Sequence, residues 1–326
     1  MVLRRSRLNL ALTLVVLSYA GCGDGASETS SDRWLLDTGE TPPTTLSGVG
    51  LFADMEARTV FSDLVAYRPN HELYSDGLTK ERHLYLPEDA TIDGNDSMLW
   101  DFPPGTVLAK TFVYDGVPVE TRLVFRNERG WDYALYQWSD DAPEARRLEG
   151  NWAEVPLVLG EDERPHTLPA RLDCRTCHET HEAVAGAPVL GVGPLQTDDV
   201  LATSRVFSEP PTRLAVEGRT SKETAALGYF VGNCASCHNG GDSINSSFSL
   251  YPEDAVANTV GQPTESETGA GTRVVPGDPE GSVLFVTVVE AGSPGYRGPF
   301  KVMPPLGVAV TDPAAASVLR DWIEAL

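Results

Sequence analysis

Alternation of apolar and polar positions dominates the first half of the chain. From Leu51 to about Leu159 helical periodicity is poor and turn signals are frequent. Thr106 to Tyr114 reads as a strand. Asp115-Gly116 is a two-residue hairpin signal, because both residues tolerate positive φ. Val117 to Arg126 forms the returning strand, with Pro118 near its start, where a strand tolerates proline. In it Leu123 and Phe125 share one face, while Arg122, Val124 and Arg126 share the other. Asn127-Glu128-Arg129-Gly130 makes the next turn. Trp131 to Trp138 then alternates again, with Tyr133 and Leu135 opposite Tyr136 and Trp138. Arg147 to Leu159 supplies a further strand. The pattern predicts an antiparallel meander within a sandwich or barrel. Trp100, Trp131, Trp138 and Trp152 fall in this region and read as core and cross-strand packing rather than a ligand face.

From Thr220 the period becomes helical. Thr220 and Glu223 make a capping box, and Ala225, Ala226, Leu227, Tyr229 and Phe230 continue a helix to Cys234. A terminal helix starts at Thr311 or Asp312 with Pro313 near its first position; Val318, Leu319, Trp322, Ile323 and Leu326 form its apolar stripe. Between them lie Val274-Val275-Pro276-Gly277-Asp278-Pro279, a short helix through Leu284 and Phe285, and the loop Met303-Pro304-Pro305-Leu306-Gly307. The fold class is therefore α+β, an antiparallel β-rich N-terminal domain followed by a helical one.

Charge adds a constraint on partners. The 326 residues carry a net charge of −22. Such a surface repels nucleic acid and steers towards basic protein faces, an attraction that fades with salt. The N-terminus adds a destination. Arg4, Arg5 and Arg7 precede the short apolar run Leu8 to Ala20, as in a signal peptide. Tyr19-Ala20-Gly21-Cys22 resembles a bacterial lipobox, with Tyr19 departing from its usual aliphatic residue. Cys22 is then the lipidated first residue of a periplasmic or outer-membrane lipoprotein of a Gram-negative bacterium. Ordinary cleavage that leaves Cys22 as a stray thiol is the other reading. Residues 1–22 are thus the signal, 23–46 a flexible tether, 47–165 the β-rich domain, 166–219 a first motif segment and 220–326 the helical domain.

The candidate chemistry is two copies of one motif. Cys174-Arg175-Thr176-Cys177-His178 and Cys234-Ala235-Ser236-Cys237-His238 are both C-x-x-C-H, the attachment signature of c-type haem. Two thiols at this spacing can each add to one vinyl group of a porphyrin, and the following His, His178 or His238, becomes the proximal iron ligand. A four-cysteine zinc site requires a shorter gap than the one from Cys177 to Cys234 and leaves both histidines unexplained. A redox dithiol leaves His178 and His238 unexplained, and a disulfide within C-x-x-C is strained. Two covalent haem c groups are the expectation. For the first haem, His166 and His181 are the nearest candidates for a sixth ligand; His71 and His83 lack any local signature.

Residues 220–326 resemble a class I cytochrome c domain. That resemblance implies an all-α domain in which the first and last helices cross near Phe230 and Trp322. It also implies that Met303 approaches the iron opposite His238. The whole layout over about 50–326 is similar to a group of bacterial exported diheme c-type cytochromes. The stretches that carry it are Tyr74-Ser75-Asp76-Gly77, Phe102 to Phe112, Leu168-Pro169-Ala170-Arg171 and Asn233 to Asn239. It supports the fold and the cofactor more than a reaction. A haem held by His238 and Met303 is coordinatively saturated, so the expected function is an electron carrier rather than a catalyst, with no catalytic residue, and the acidic surface is expected to dock a redox partner with a basic face. Two other functions stay open. One is a peroxidase-like oxidoreductase that uses an open first haem. The other is a binding or sensing module in which the aromatic β domain holds a ligand.

Overall fold

The computed structural model describes residues 33–38, 41–95, 100–151, 153–179, 189–241, 248–265, 269–291 and 295–326. Cys22 and the signal segment, half of the tether, Trp152 and His181 lie outside the described residues. Among the described residues no helix is long and apolar enough to cross a membrane.

Chain entry is a short helix, α1 (Leu46–Val49), and a two-stranded ribbon, β1 (Phe52–Asp54) with β2 (Thr59–Val60). A single six-stranded sheet follows in sequence order: β3 (Val65–Ala66), β4 (Thr79–Tyr85), β5 (Val107–Tyr114), β6 (Val117–Asn127), β7 (Gly130–Trp138) and β8 (Ala145–Arg147), every neighbour antiparallel. The pairing runs linearly from β3 to β8, so the meander is an open sheet rather than a closed barrel. The β5–β6 turn has Asp115 at φ 47° and Gly116 at φ 77°, as the Asp-Gly pair requires.

The alternating pattern buries both faces. On one face Val107, Ala109, Leu123, Phe125, Tyr136 and Trp138 pack under Leu46, Leu51 and Phe52. On the other, Leu84 and Leu108 meet Trp100, Phe102 and Phe207 from the crossing loops. Of the four tryptophans of this region, Trp100 and Trp138 are buried core residues. The strand expected over 147–159 is two strands. Gly150, at φ 64°, turns the chain out of the sheet. Beyond it β9 (Val155–Leu159) pairs with β10 (Arg164–Leu168) in a separate hairpin. That hairpin sets Leu157 and Leu159 against Phe112 and Leu78.

Helices α2 (Arg171–His178) and α3 (Asp199–Ala202) follow. Then come α4 (Ser221–Asn233), α5 (Pro252–Thr259), α6 (Val283–Phe285), a π-turn (Val286–Glu290) and α7 (Pro313–Ile323). Thr220 caps α4 by accepting from the Glu223 amide at 3.1 Å, and Glu223 reaches back to the Arg219 amide at 2.9 Å. Asp312 caps α7 through the Ala314 amide at 2.9 Å, with Pro313 at its first turn. Phe230 of α4 and Trp322 of α7 meet edge to face, centroids 5.6 Å apart, in one buried cluster with Leu227, Phe285 and Leu319.

The expected fold class needs correction here. The C-terminal region is not clearly an all-α cytochrome domain. Between α5 and α6 the chain is held by isolated β-bridges, Val260 with Val274, Pro263 with Thr272 and Thr272 with Ser282. Gly and Pro recur through this stretch, and they leave no long apolar period for a helix to use. Helix and strand stand near parity over the described residues, at 22% and 25%.

Nor do the two halves separate cleanly. The segment His71–Tyr74 lies directly on α4. A Cβ at Gly232 would sit 2.8 Å from the Glu72 carbonyl oxygen, so glycine alone permits the approach. Asn233 then accepts from the Tyr74 amide at 2.8 Å and donates to the Glu72 carbonyl at 3.3 Å.

Candidate cofactor-binding site

The first motif lies within α2. The helix is short and has no fully buried residue, and its hold on the sheet is made at its two ends. Arg171 pairs with Asp132 of β7, and the His178 ring lies 5.6 Å from the Tyr133 ring. Asp173 accepts from the Ala170 amide at 2.8 Å and closes the first turn. The second motif is the tight turn that ends α4. The Cys234 and Ala235 amides both donate to the Phe230 carbonyl, and the Cys237 and His238 amides both donate to the Cys234 carbonyl.

A cavity of about 210 Å³ lies between the cavity-side face of the sheet, α2 and the end of α4. Cys174, Cys177 and His178 line it from one side and Cys237 from the other. The two motifs, 60 residues apart in sequence, touch: Cys177 and Cys237 share a hydrogen bond between their sulfurs. That bond and burial hold the Cys177 thiol far above its ordinary value. The same bond lowers the Cys237 pKa to about 7. All four motif cysteines are free thiols, partly buried.

The donor set, two thiols and one imidazole at each motif, suits covalent porphyrin attachment, and all three donors of the first motif reach the cavity. The second motif is less complete in this arrangement. Cys234 packs against the α4–α7 core, where burial pushes its thiol up to about 12. His238 stacks on Phe248, centroids 4.5 Å apart, and lines neither this cavity nor its neighbour. Burial and the nearby Arg273 lower the His238 pKa to about 4, so the ring is neutral, the form that binds a metal.

Met303 lies on a neighbouring cavity with Tyr74, Tyr229 and Asn233, and is 37% exposed. The residues just after it, Pro304, Leu306 and Val308, line the cavity of the motifs. His166 does not fit the role of sixth ligand. Its ring is fully buried, with Nδ1 2.9 Å from Asp76 and Nε2 3.0 Å from Glu120, so both nitrogens are already engaged. Burial alone would lower its pKa, but the two carboxylate hydrogen bonds outweigh this and raise it. His71 lines the motif cavity, and burial lowers its pKa. His83, on β4, has a buried Nδ1 without a hydrogen bond among the described residues.

The structure also brings in residues with no motif of their own. Asp76, at φ 52°, uses one carboxylate oxygen on His166 and the other on the Ala309 and Val310 amides at 2.7 and 2.9 Å. It thereby fastens the sheet to the loop that follows Met303. Glu120 is held by Arg122 at 2.5 Å as well as by His166. Burial would raise its pKa, but Arg122 and His166 together hold it at about 2. The sequence sign of this cluster was Tyr74-Ser75-Asp76-Gly77, a polar run before a strand. Nothing in the sequence pairs it with His166 or Glu120.

Among the described residues no three His, Cys, Asp or Glu side chains converge as a group that could hold a metal ion. Comparison with known proteins finds no matching family model, no matching curated protein and no matching solved structure.

Proposed function

We propose that the chain is an exported diheme c-type cytochrome that transfers electrons, with haem held at Cys174, Cys177 and His178 and at Cys234, Cys237 and His238. The observation that carries this reading is the contact between Cys177 and Cys237. Groups attached to two motifs that open on one cavity are neighbours, and electron transfer needs short separations. The haems supply the redox change. The chain's own part is to anchor them through the thiols, to offer neutral imidazole to the iron and to exclude water with the apolar wall built by Leu108 and Val124. Met303 is the candidate second ligand for the haem on His238. The acidic surface favours transient docking to a basic redox partner, and Cys22 is the proposed lipid anchor.

The test is intact mass and the alkaline pyridine spectrum of the protein exported by a host that attaches c-type haem. Two covalent haems per chain are expected, and one after Cys174→Ala with Cys177→Ala. An unmodified mass would end the reading.

A second reading is favoured by one observation. His166 is locked between Asp76 and Glu120, so this candidate cannot close the first haem. An open first haem suits a peroxidase-like oxidoreductase. Carbon monoxide added to the reduced protein decides between the two. A shifted Soret band supports the open site, and an unchanged one leaves electron transfer alone.

A further inference from the structure

Three cations stand in one row across the centre of the sheet. Arg82 on β4 is directly opposite Lys110 on β5, and Lys110 is directly opposite Arg122 on β6. All three side chains line the cavity of the motifs. Like charges directly opposed on neighbouring strands destabilise a sheet. In a chain of net charge −22 such a row is not the product of a generally basic surface.

The carboxylates nearby do not neutralise the middle of the row. Glu120 is bound to Arg122 and His166. Glu72 is bound to Arg68 at 2.7 Å and reaches Arg82 at 3.5 Å. Asp173, which also lines the cavity, accepts from the Ala170 amide. Asp76 is taken by His166 and two backbone amides. Lys80, two residues before Arg82 on β4, donates to the Leu73 and Leu78 carbonyls. The Lys110 ammonium stands 5.2 Å from the Phe112 ring, and among the described residues its side chain makes no hydrogen bond or ion pair. Loss of water and the surrounding cations, Arg122 first, lower its pKa to about 7. A cation left unpaired inside a cavity is costly unless an anion joins it.

We infer that Arg82, Lys110 and Arg122 form an anion-binding site for a carboxylate or small oxyanion on the sheet-side wall of the motif cavity. Two sources offer that chemistry, the propionate of a haem attached at the motifs and a free anion. The first source rests on the function proposed above; the site itself does not.

The experiment uses the full chain with and without attached haem, the content fixed first by intact mass. Inorganic phosphate is titrated at constant ionic strength and its Kd read from the rise in Tm. The haem-free chain should respond, and Lys110→Met should weaken the apparent Kd about ten-fold or more, as expected for a lost charge-assisted hydrogen bond. Lys110→Arg should restore it. If propionates are the natural occupants, the haem-loaded chain ignores phosphate, and Lys110→Met shifts one midpoint potential negative. If a free anion is the occupant, the haem-loaded chain responds to phosphate as well. The inference is overturned if neither form responds and Lys110→Met moves no potential. A chain that never acquires haem but binds phosphate refutes the cytochrome and leaves the anion site standing.

Discussion

Glu120→Gln is the most informative single change in the sheet. The carboxylate is fully buried, paired with Arg122 at 2.5 Å and with His166 at 3.0 Å. Glutamine keeps the shape and removes the charge. Arg122 is then left opposite Lys110 with no counter-charge in the strand pair. The size follows from the proton equilibrium. The Glu120 pKa falls from an ordinary 4.5 to about 2 in the folded chain. At about 1.4 kcal/mol per unit this is about 3 kcal/mol, which agrees with the cost of breaking a buried pair. For a cooperative unit of roughly 150–250 residues that lowers Tm by about 6–12 °C.

The sign of the pH dependence separates this cause from lost packing. A depressed carboxylate contributes fully above its unfolded pKa of 4.5 and loses the contribution as pH falls through about 2. His166 runs the other way. Its pKa is raised, so its contribution is present below the unfolded value of 6.5 and is lost as pH rises through the folded value. The stability gap between wild type and Glu120→Gln should therefore be widest at about pH 5–6.5 and close towards pH 2. Urea unfolding followed by far-ultraviolet circular dichroism at several pH values measures it. A gap that is independent of pH, or smaller than about 1 kcal/mol at pH 6, would refute the electrostatic account and leave only packing.

Three further outcomes are expected. Helix propensity alone predicts that Gly232→Ala stabilises α4 by about 1 kcal/mol. The Glu72 carbonyl, 2.8 Å from the new Cβ, predicts a lower Tm instead, and the sign of the shift decides. In the haem-free full chain, diamide should link Cys177 to Cys237 across the motifs; peptide maps that contain only links within each motif would contradict their contact. Asp312→Ala removes the cap on the Ala314 amide and should cost about 1 kcal/mol in a denaturant melt, with no change in the sheet-centred melting of Glu120→Gln.

Local order was readable in the residues themselves, because it depends on near neighbours. The Asp115-Gly116 hairpin, the opposite faces of Arg122 and Leu123, the Thr220 cap and the Asp312-Pro313 start of α7 all follow from one- to four-residue spacing. The two C-x-x-C-H motifs belong to the same class, since their chemistry is written in five consecutive residues. What the pattern over-read was continuity. Strand 147–159 broke at Gly150, and a helical start and finish did not make residues 220–326 all-α, because the stretch between α5 and α6 is Gly- and Pro-rich and pairs by bridges.

Only the tertiary structure decided the rest, because those contacts join residues far apart in the chain. The close approach at Gly232 sets His71–Tyr74 on α4, and the end of α4 carries Cys237 to Cys177. Strand register, not sequence neighbourhood, puts Arg82, Lys110 and Arg122 side by side. The same long-range pairing removes His166 from the ligand candidates by giving both its nitrogens to Asp76 and Glu120. The thiol and imidazole pattern of each motif is thus a property of the sequence, while the polarity of the wall it faces is a property of the fold. A sheet can gather like charges from three strands that no linear spacing relates.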